Sequence, residues 1–253
     1  MSQRLGAAPN QAGPLAGASA QPVLQACALS AGYGPIPVVR QLDLEVRPGE
    51  VVALLGANGA GKTTTLMALA GLLTPSAGSV KLHGRTVSGA LHLRVRAGMA
   101  YVPEQRGIFR NLTAMENLRL GRGTPEAALE IMPELRRLLD RKAGLLSGGE
   151  QQMLSLARAL ASKPSVLMCD ELSLGLAPLI VQRLLQAVRA AAAAGVAVLL
   201  VEQHVRAALA VADRAYVLRR GALAMAGTAQ EVHARLDEVE SAYLSGSAPA
   251  AQG

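Results

Sequence analysis

Apolar and polar positions change their period several times along the chain. Val51–Leu55 (VVALL) is a continuous apolar run, and Val166–Met168 and Val196–Val201 are two more. Short unbroken runs of this kind mark strands covered on both faces. From Val23 to Val46, shorter β-like runs are interrupted by AGYGPIP and closed by RPGE. Helical spacing takes over elsewhere. KTTTLMALAGLL, from Lys62, reads as a helix stopped by TPSAG. Thr124–Leu139 and Leu179–Ala194 read as helices. Gln151–Ala161 places Met153, Leu156, Ala157 and Leu160 on one helical face. Strands alternating with helices predict an α/β fold built from βαβ units around a mainly parallel sheet.

The length of 253 residues suits one large domain or two small ones. Both ends are low in complexity. Residues 1–21 and 245–253 are expected to be disordered tails around a domain at 22–244. Hydrophobic residues make up 51% of the chain, yet the apolar stretch Ala190–Val201 is well short of the roughly 20 residues that span a bilayer. The N-terminal residues are too interrupted by Pro and Gln for a secretory signal. A cytoplasmic protein is therefore expected. Cys27 and Cys169 have no CxxC spacing, which argues against a disulfide framework or a cysteine metal site.

The net charge of +7 suits phosphate ligands, anionic lipid or nucleic acid. Scattered Arg and only four Tyr, one Phe and no Trp argue against nucleic acid.

The strongest chemical signal follows the VVALL run. Gly56, Ala57, Asn58, Gly59, Ala60, Gly61, Lys62 and Thr63 match GxxxxGK[ST] at every fixed position, between an expected strand and an expected helix. Glycines let backbone N–H groups turn inward with no Cβ in the way. Together with the helix N-terminus they form a positive cup for phosphates. Lys62 is suited to reach β- and γ-phosphates, and the Thr63 hydroxyl to meet Mg²⁺.

A second signal closes the run SVLMCDE. Asp170 and Glu171 end an expected strand, where a parallel sheet gathers its ligand edge. Asp170 is placed to hold a Mg²⁺ shell and Glu171 to polarise an attacking water. A third signal, Leu146-Ser147-Gly148-Gly149-Glu150-Gln151-Gln152, precedes the amphipathic helix and forms another anion cup. One nucleotide does not need two cups in one subunit. A head-to-tail dimer, each subunit closing on its partner's ATP, accounts for both.

LSGGEQQ, with GANGAGKTT upstream and VLMCDE downstream, resembles the ATP-binding subunit of ABC transporters over about residues 23–244. The resemblance implies a P-loop ATPase with an antiparallel β subdomain and a helical subdomain at about 88–161. Three segments, YVPEQRGIFRNLTAMENLRLG, SLGLAPLIV and LLVEQHVRAALAVADRAYVL, are similar to the smaller ATPase of branched-chain amino acid importers. That family pairs a different second ATPase, or a copy of itself, beneath two transmembrane permeases served by a periplasmic binding protein. This places the expected position on the cytoplasmic face of the membrane.

The resemblance also implies residue roles. Tyr33 matches the aromatic that stacks on adenine. Lys62, Thr63 and Thr64 match phosphate and Mg²⁺ contacts. Ser147, Gly148 and Gly149 match the turn that closes on the partner's γ-phosphate.

Three positions depart from the general pattern. Glu104 stands where a metal-sensing Gln is general, although this subgroup often carries Glu. Gln203 stands at the γ-phosphate His, with His204 one place late; neighbours on an extended chain point to opposite sides, which favours Gln203. Leu172 replaces a Pro after Glu171, restoring an N–H and freeing φ. The stretch between Glu104 and the signature is also slightly short, which bears on the permease partner. The rival readings are an ATPase of another transporter (other amino acids, amides, urea or envelope lipid), a soluble ABC protein acting on ribosomes or DNA, and a non-hydrolysing nucleotide binder.

Overall fold

The computed structural model describes residues 20–236. The expected 245–253 tail, and all but the last two residues of the 1–21 tail, lie outside the described residues.

The N-terminal residues form two antiparallel strands, β1 (Leu24–Ala31) and β2 (Val39–Val46). The loop AGYGPIP separates them, as its turn residues dictate. Next come β3 (Val51–Gly56), β4 (Ala77–Leu82), β5 (Arg85–Thr86) and β6 (Met99–Val102). The remaining strands are β7 (Val166–Asp170), β8 (Ala197–Glu202), β9 (Arg214–Arg219) and β10 (Ala222–Thr228). They divide into an antiparallel sheet of order β2-β1-β4-β5 and a six-stranded sheet of order β10-β9-β3-β8-β7-β6. In the larger sheet every pairing is parallel except β10 with β9.

The continuous apolar runs behave as double-sided strands. Val51, Ala53 and Leu55 of β3 join one core, while Val52 and Leu54 join the other. Leu167 and Cys169 face the first core, and Val166 and Met168 the second. The second core also holds the inner face of the antiparallel sheet, including Leu29, Leu42 and Leu82.

The helices are α1 (Lys62–Ala70), α2 (Leu91–Arg96), α3 (Ala114–Arg119), α4 (Pro125–Ile131), α5 (Gly148–Ala161), α6 (Pro178–Ala193), α7 (Val205–Leu209) and α8 (Ala229–Ala234). The helix expected over Thr124–Leu139 is broken. α4 ends before Met132, and a 3-10 turn covers Pro133–Leu138. Pro133 has no N–H to continue the ladder, and it pushes Met132 to an extended conformation (φ −128°, ψ 77°). Met132 and Leu135 stay fully buried, so the apolar pattern that suggested one helix is satisfied by two pieces.

The apolar stretch Ala190–Val201 is likewise half helix and half strand. Gly195, at φ 98°, turns the chain between α6 and β8. Among the described residues no helix is long and apolar enough to cross a membrane.

One buried cation fixes the helix that carries the phosphate loop. Arg94 of α2 is 3% exposed, and its Nη1 donates to the carbonyl oxygens of Ala68 (2.9 Å) and Leu69 in the last turn of α1. Carbonyls at a helix C-terminus lack intrahelical donors and carry the negative end of the dipole. Arg94→Leu keeps much of the apolar stem but removes the charged donor from both carbonyls, leaving the Gly71 N–H on Ala68 O at 3.2 Å. It should lower stability by about 2–3 kcal/mol in denaturant unfolding.

Candidate functional site

The sheet register brings the chemistry to one edge. Leu55 of β3 lies beside Glu202 of β8, and Val201 of β8 lies beside Asp170 of β7. β6, next to β7, ends one residue before Pro103 and two before Glu104. The phosphate loop, the Asp170-Glu171 pair, Gln203 and Glu104 therefore all leave strand C-termini on the same side of the sheet.

The phosphate loop has the backbone its sequence called for. Gly61 caps α1 at φ 103°, ψ 8°, a region open to glycine. A Cβ on Gly56 would lie 2.7 Å from the Leu218 carbonyl oxygen, so no side chain fits there. Asn58 and Gly59 are exposed at the loop tip, while Ala60 is buried beneath it.

Lys62 is 5% exposed, and its Nζ donates to the carbonyls of Gly56 (2.8 Å) and Ala57 (3.2 Å). The same Nζ lies 3.9 Å from Glu171 Oε1. Burial lowers the Lys62 pKa, and the nearby charges of Glu171, Asp170 and Glu202 oppose that shift. Thr63 is exposed and hydrogen-bonds the Asp170 side chain. Thr64 is buried in α1.

Asp170 is 1% exposed, and its Oδ1 has no hydrogen-bond partner. Burial, followed by the charge of Glu171, pushes its pKa up to about 6 against the opposing Thr63 bond. A buried carboxylate oxygen without a donor, beside a Thr hydroxyl, fits a hard divalent cation. Among the described residues no three His, Cys, Asp or Glu side chains converge as a metal cage. Asp170 with the Thr63 hydroxyl fits Mg²⁺, which one or two carboxylates commonly hold together with substrate phosphates.

Glu171 has φ 49°, a left-handed conformation that costs a non-glycine residue about 1–2 kcal/mol. A set of hydrogen bonds holds the surrounding turn. The Glu171 N–H donates to Val201 O at 2.9 Å, and Leu174 N–H donates to Glu171 O at 3.3 Å. The Gln203 Nε2 donates to Glu171 Oε1 at 2.7 Å. The Ser173 backbone N–H donates to Glu202 Oε1 at 3.0 Å.

Leu172 is 1% exposed and belongs to the core between the sheet and the helices. Among the described residues its N–H donates no hydrogen bond. The turn is therefore anchored by an apolar side chain where the general pattern uses a ring.

The neighbours Gln203 and His204 separate as their spacing implied. Gln203 turns to Glu171, whereas His204 is exposed at the N-cap position of α7, with no side-chain capping bond. Tyr33 is 67% exposed in the β1–β2 loop, with its hydroxyl 3.1 Å from the sulfur of Met67 in α1. Its ring is thus tethered at the phosphate-loop helix with most of its surface free. Glu104 is exposed, close enough to raise the pKa of Asp170 by charge repulsion.

The signature turn stands apart from this cluster. Ser147 caps α5 by accepting from Glu150 N–H (3.3 Å), and the Glu150 carboxylate accepts from Ser147 N–H (2.8 Å). A Cβ on Gly149 would lie 2.9 Å from Ile180 Cγ2, so the turn packs directly on α6. Among the described residues no hydrogen bond or ion pair joins Ser147, Gly148 or Gly149 to the phosphate loop of the same chain.

Two residues that sequence reasoning passed over complete the arrangement. Arg106, beyond Glu104, donates from Nη1 to Gln151 Oε1 (2.9 Å) and so ties the Glu104 turn to α5. Glu202 is 2% exposed at the end of β8. An acidic residue closing an apolar strand was the available signal for it, the same signal that marked Asp170.

The family model for the ABC transporter matches residues 39–173. The chain is 41% identical to the high-affinity branched-chain amino acid transport ATP-binding protein BraG of Pseudomonas aeruginosa, over 86% of this chain and 97% of that protein. It is 38% identical to the probable branched-chain amino acid transport ATP-binding protein LivF of Archaeoglobus fulgidus, over 83% and 94%. A solved ATP-binding subunit of an ABC transporter superposes with a TM-score of 0.76 at 30% identity, covering 88% of this chain and 99% of that one.

Asp170 generates a pH-dependent prediction. Its folded pKa of about 6 lies above the ordinary value of 3.8. The folded state then holds a proton that the unfolded chain has released, and stability falls as pH rises through that window. Asp170→Asn should raise the stability of the metal-free, nucleotide-free protein at pH 8 by about 1–3 kcal/mol. Thermal melts in chelator should show that gain shrinking toward zero near pH 4.

Proposed function

The chain belongs to the ABC transporter family, whose ATP-binding subunits hydrolyse ATP, and from that premise we propose that it energises an importer of branched-chain amino acids. The proposal takes its substrate class from the similarity to BraG and LivF. It takes its mechanism from one observation, the contact between Gln203 Nε2 and Glu171 Oε1 beside the Lys62 ammonium.

In this reading the backbone N–H groups of residues 56–61 and the N-terminus of α1 cradle the ATP phosphates. Lys62 exchanges its two loop carbonyls for β- and γ-phosphate oxygens. Tyr33 stacks on adenine with the face its tether leaves open. Thr63 and Asp170 would hold Mg²⁺, with Glu104 bordering the shell, and the ion would supply neutralisation of phosphate charge. Glu171 accepts the proton of the attacking water. Gln203 orients that carboxylate and offers an amide hydrogen to the γ-phosphate.

The Ser147–Gly149 turn is read as serving the partner's nucleotide. Its separation from the phosphate loop supports a head-to-tail dimer, with a second ATPase or another copy of this chain. Residues 88–161, apart from β6, are read as the helical subdomain that meets the permeases. The assembled position is the cytoplasmic face of the inner membrane, with a periplasmic binding protein supplying cargo to two permease subunits.

Glu171→Gln should retain ATP binding, lose turnover by about 10³-fold and accumulate an ATP-bound dimer by size-exclusion chromatography. Leucine uptake by membranes carrying that variant should fall with it; normal uptake would reject the transport reading. Gln203→Ala should reduce kcat more than His204→Ala, since it is Gln203 that hydrogen-bonds Glu171. Steady-state rates in the reverse order would reject the role given to Gln203.

A further inference from the structure

We propose that Glu202 is a positioning residue: its buried carboxylate clamps Ser173 and so holds the turn that presents Glu171. The inference rests on the reading of Glu171 as general base and adds a residue that acts through it.

Three observations carry it. First, both oxygens of Glu202 are engaged by one residue. Oε1 accepts from the Ser173 backbone N–H at 3.0 Å, and Oε2 accepts from the Ser173 hydroxyl. Glu202 is 2% exposed and Ser173 4% exposed. A buried carboxylate needs such donors to stay in place. Burial nonetheless pushes its pKa up, with the two Ser173 bonds opposing.

Second, the clamp sits two residues beyond Glu171, whose φ of 49° is held against its own preference. A strained residue keeps its conformation when its surroundings over-determine it. Glu171 N–H and Ser173 are both tied to consecutive residues of one strand end, Val201 and Glu202. Gln203, the next residue, holds the Glu171 side chain. Residues 201–203 thus form a single template for residues 171–173.

Third, Leu172 lies between the two ties. A prolyl ring would limit φ at that point through covalent geometry. Leu leaves φ free, and its N–H donates no hydrogen bond among the described residues. Rigidity that a ring would give locally is here supplied across the sheet by Glu202.

The clamp has a specific kinetic signature. Loosening the turn displaces Glu171 from the water it activates and breaks neither hydrogen bond of Lys62 to the phosphate loop. Displacement of a catalytic group by about 1 Å lowers turnover by roughly 10²-fold. Glu202→Ala should therefore lower kcat by about 10- to 100-fold, with KM for ATP within about twofold. Glu202→Gln should keep most of the rate, because its carbonyl still accepts from Ser173 N–H and its amide donates to the hydroxyl.

The decisive measurement is a second-site test on the full chain. Leu172→Pro added to Glu202→Ala should restore kcat by about tenfold, since the ring removes the freedom that the clamp restrained. If Glu202→Ala fails to fold, judged by its thermal melt, Ser173→Ala replaces it and should lower kcat by about three- to tenfold, again with restoration by Leu172→Pro. Unchanged kcat in the folded single variant, or no restoration by Leu172→Pro, overturns the proposal. Glu171→Gln run alongside separates the two readings. If it still turns over ATP, the base assignment fails; if it is inactive while Glu202→Ala is fully active, the clamp alone fails.

Discussion

A single buried ammonium facing a crowd of carboxylates is the constraint on which the site depends. Lys62, at 5% exposure, answers Glu171 at 3.9 Å and feels the charges of Asp170 and Glu202. Three acidic groups near one cation leave the edge of the sheet short of positive charge. Asp170 shows the imbalance most clearly, with an unpartnered buried oxygen and a pKa pushed up to about 6. Such a site favours whatever brings cations to it. A metal-bound nucleotide would do so while presenting its phosphates to the loop N–H groups. The fold holds this tension because every group in it sits on a strand end or a capped helix.

The double-sided sheet makes that possible. Alternate residues of β3, β7 and β8 are committed to opposite cores, so a strand cannot slip by one residue without exchanging its two faces. Register is therefore fixed, and with it the alignment of Leu55 with Glu202 and of Asp170 with Val201. Arg94 adds a restraint from behind, closing the C-terminus of α1 while its N-terminus opens on the phosphate site. The machinery for phosphate and water is thus held at both ends of the helix and along three strands.

The signature turn obeys a different logic. Ser147 and Glu150 satisfy each other in a capping box, and Gly149 is pressed against Ile180. The turn is complete as a helix start and, among the described residues, makes no bond to its own phosphate loop. Arg106 links the Glu104 turn to α5 through Gln151. The Glu104 turn and the signature helix are therefore tied directly to each other.

Much of this was legible in the sequence. Glycines at 56, 59 and 61 are demanded by backbone geometry, and unbroken apolar runs ending in acidic residues announce buried strands that reach a ligand edge. Both signals are local, and both elements formed where they were expected. The continuous helix expected across Thr124–Leu139 failed because Pro133 acts on the backbone while the apolar period, which still buries Met132 and Leu135, continues through it. Other features were decided by the tertiary structure alone. Glu202 looks like any strand-terminal acid until β8 is set between β3 and β7, and Leu172 looks like a defect until Ser173 is seen held from the next strand. That Gln203, and not the neighbouring His204, hydrogen-bonds Glu171 likewise depended on how the strand ends met. Motifs are written in neighbouring residues, so sequence determined the loop, the acidic pair and the family resemblance. Partnership between residues about thirty positions apart arises only when strands pack in order, so the support around Glu171 belongs to the fold.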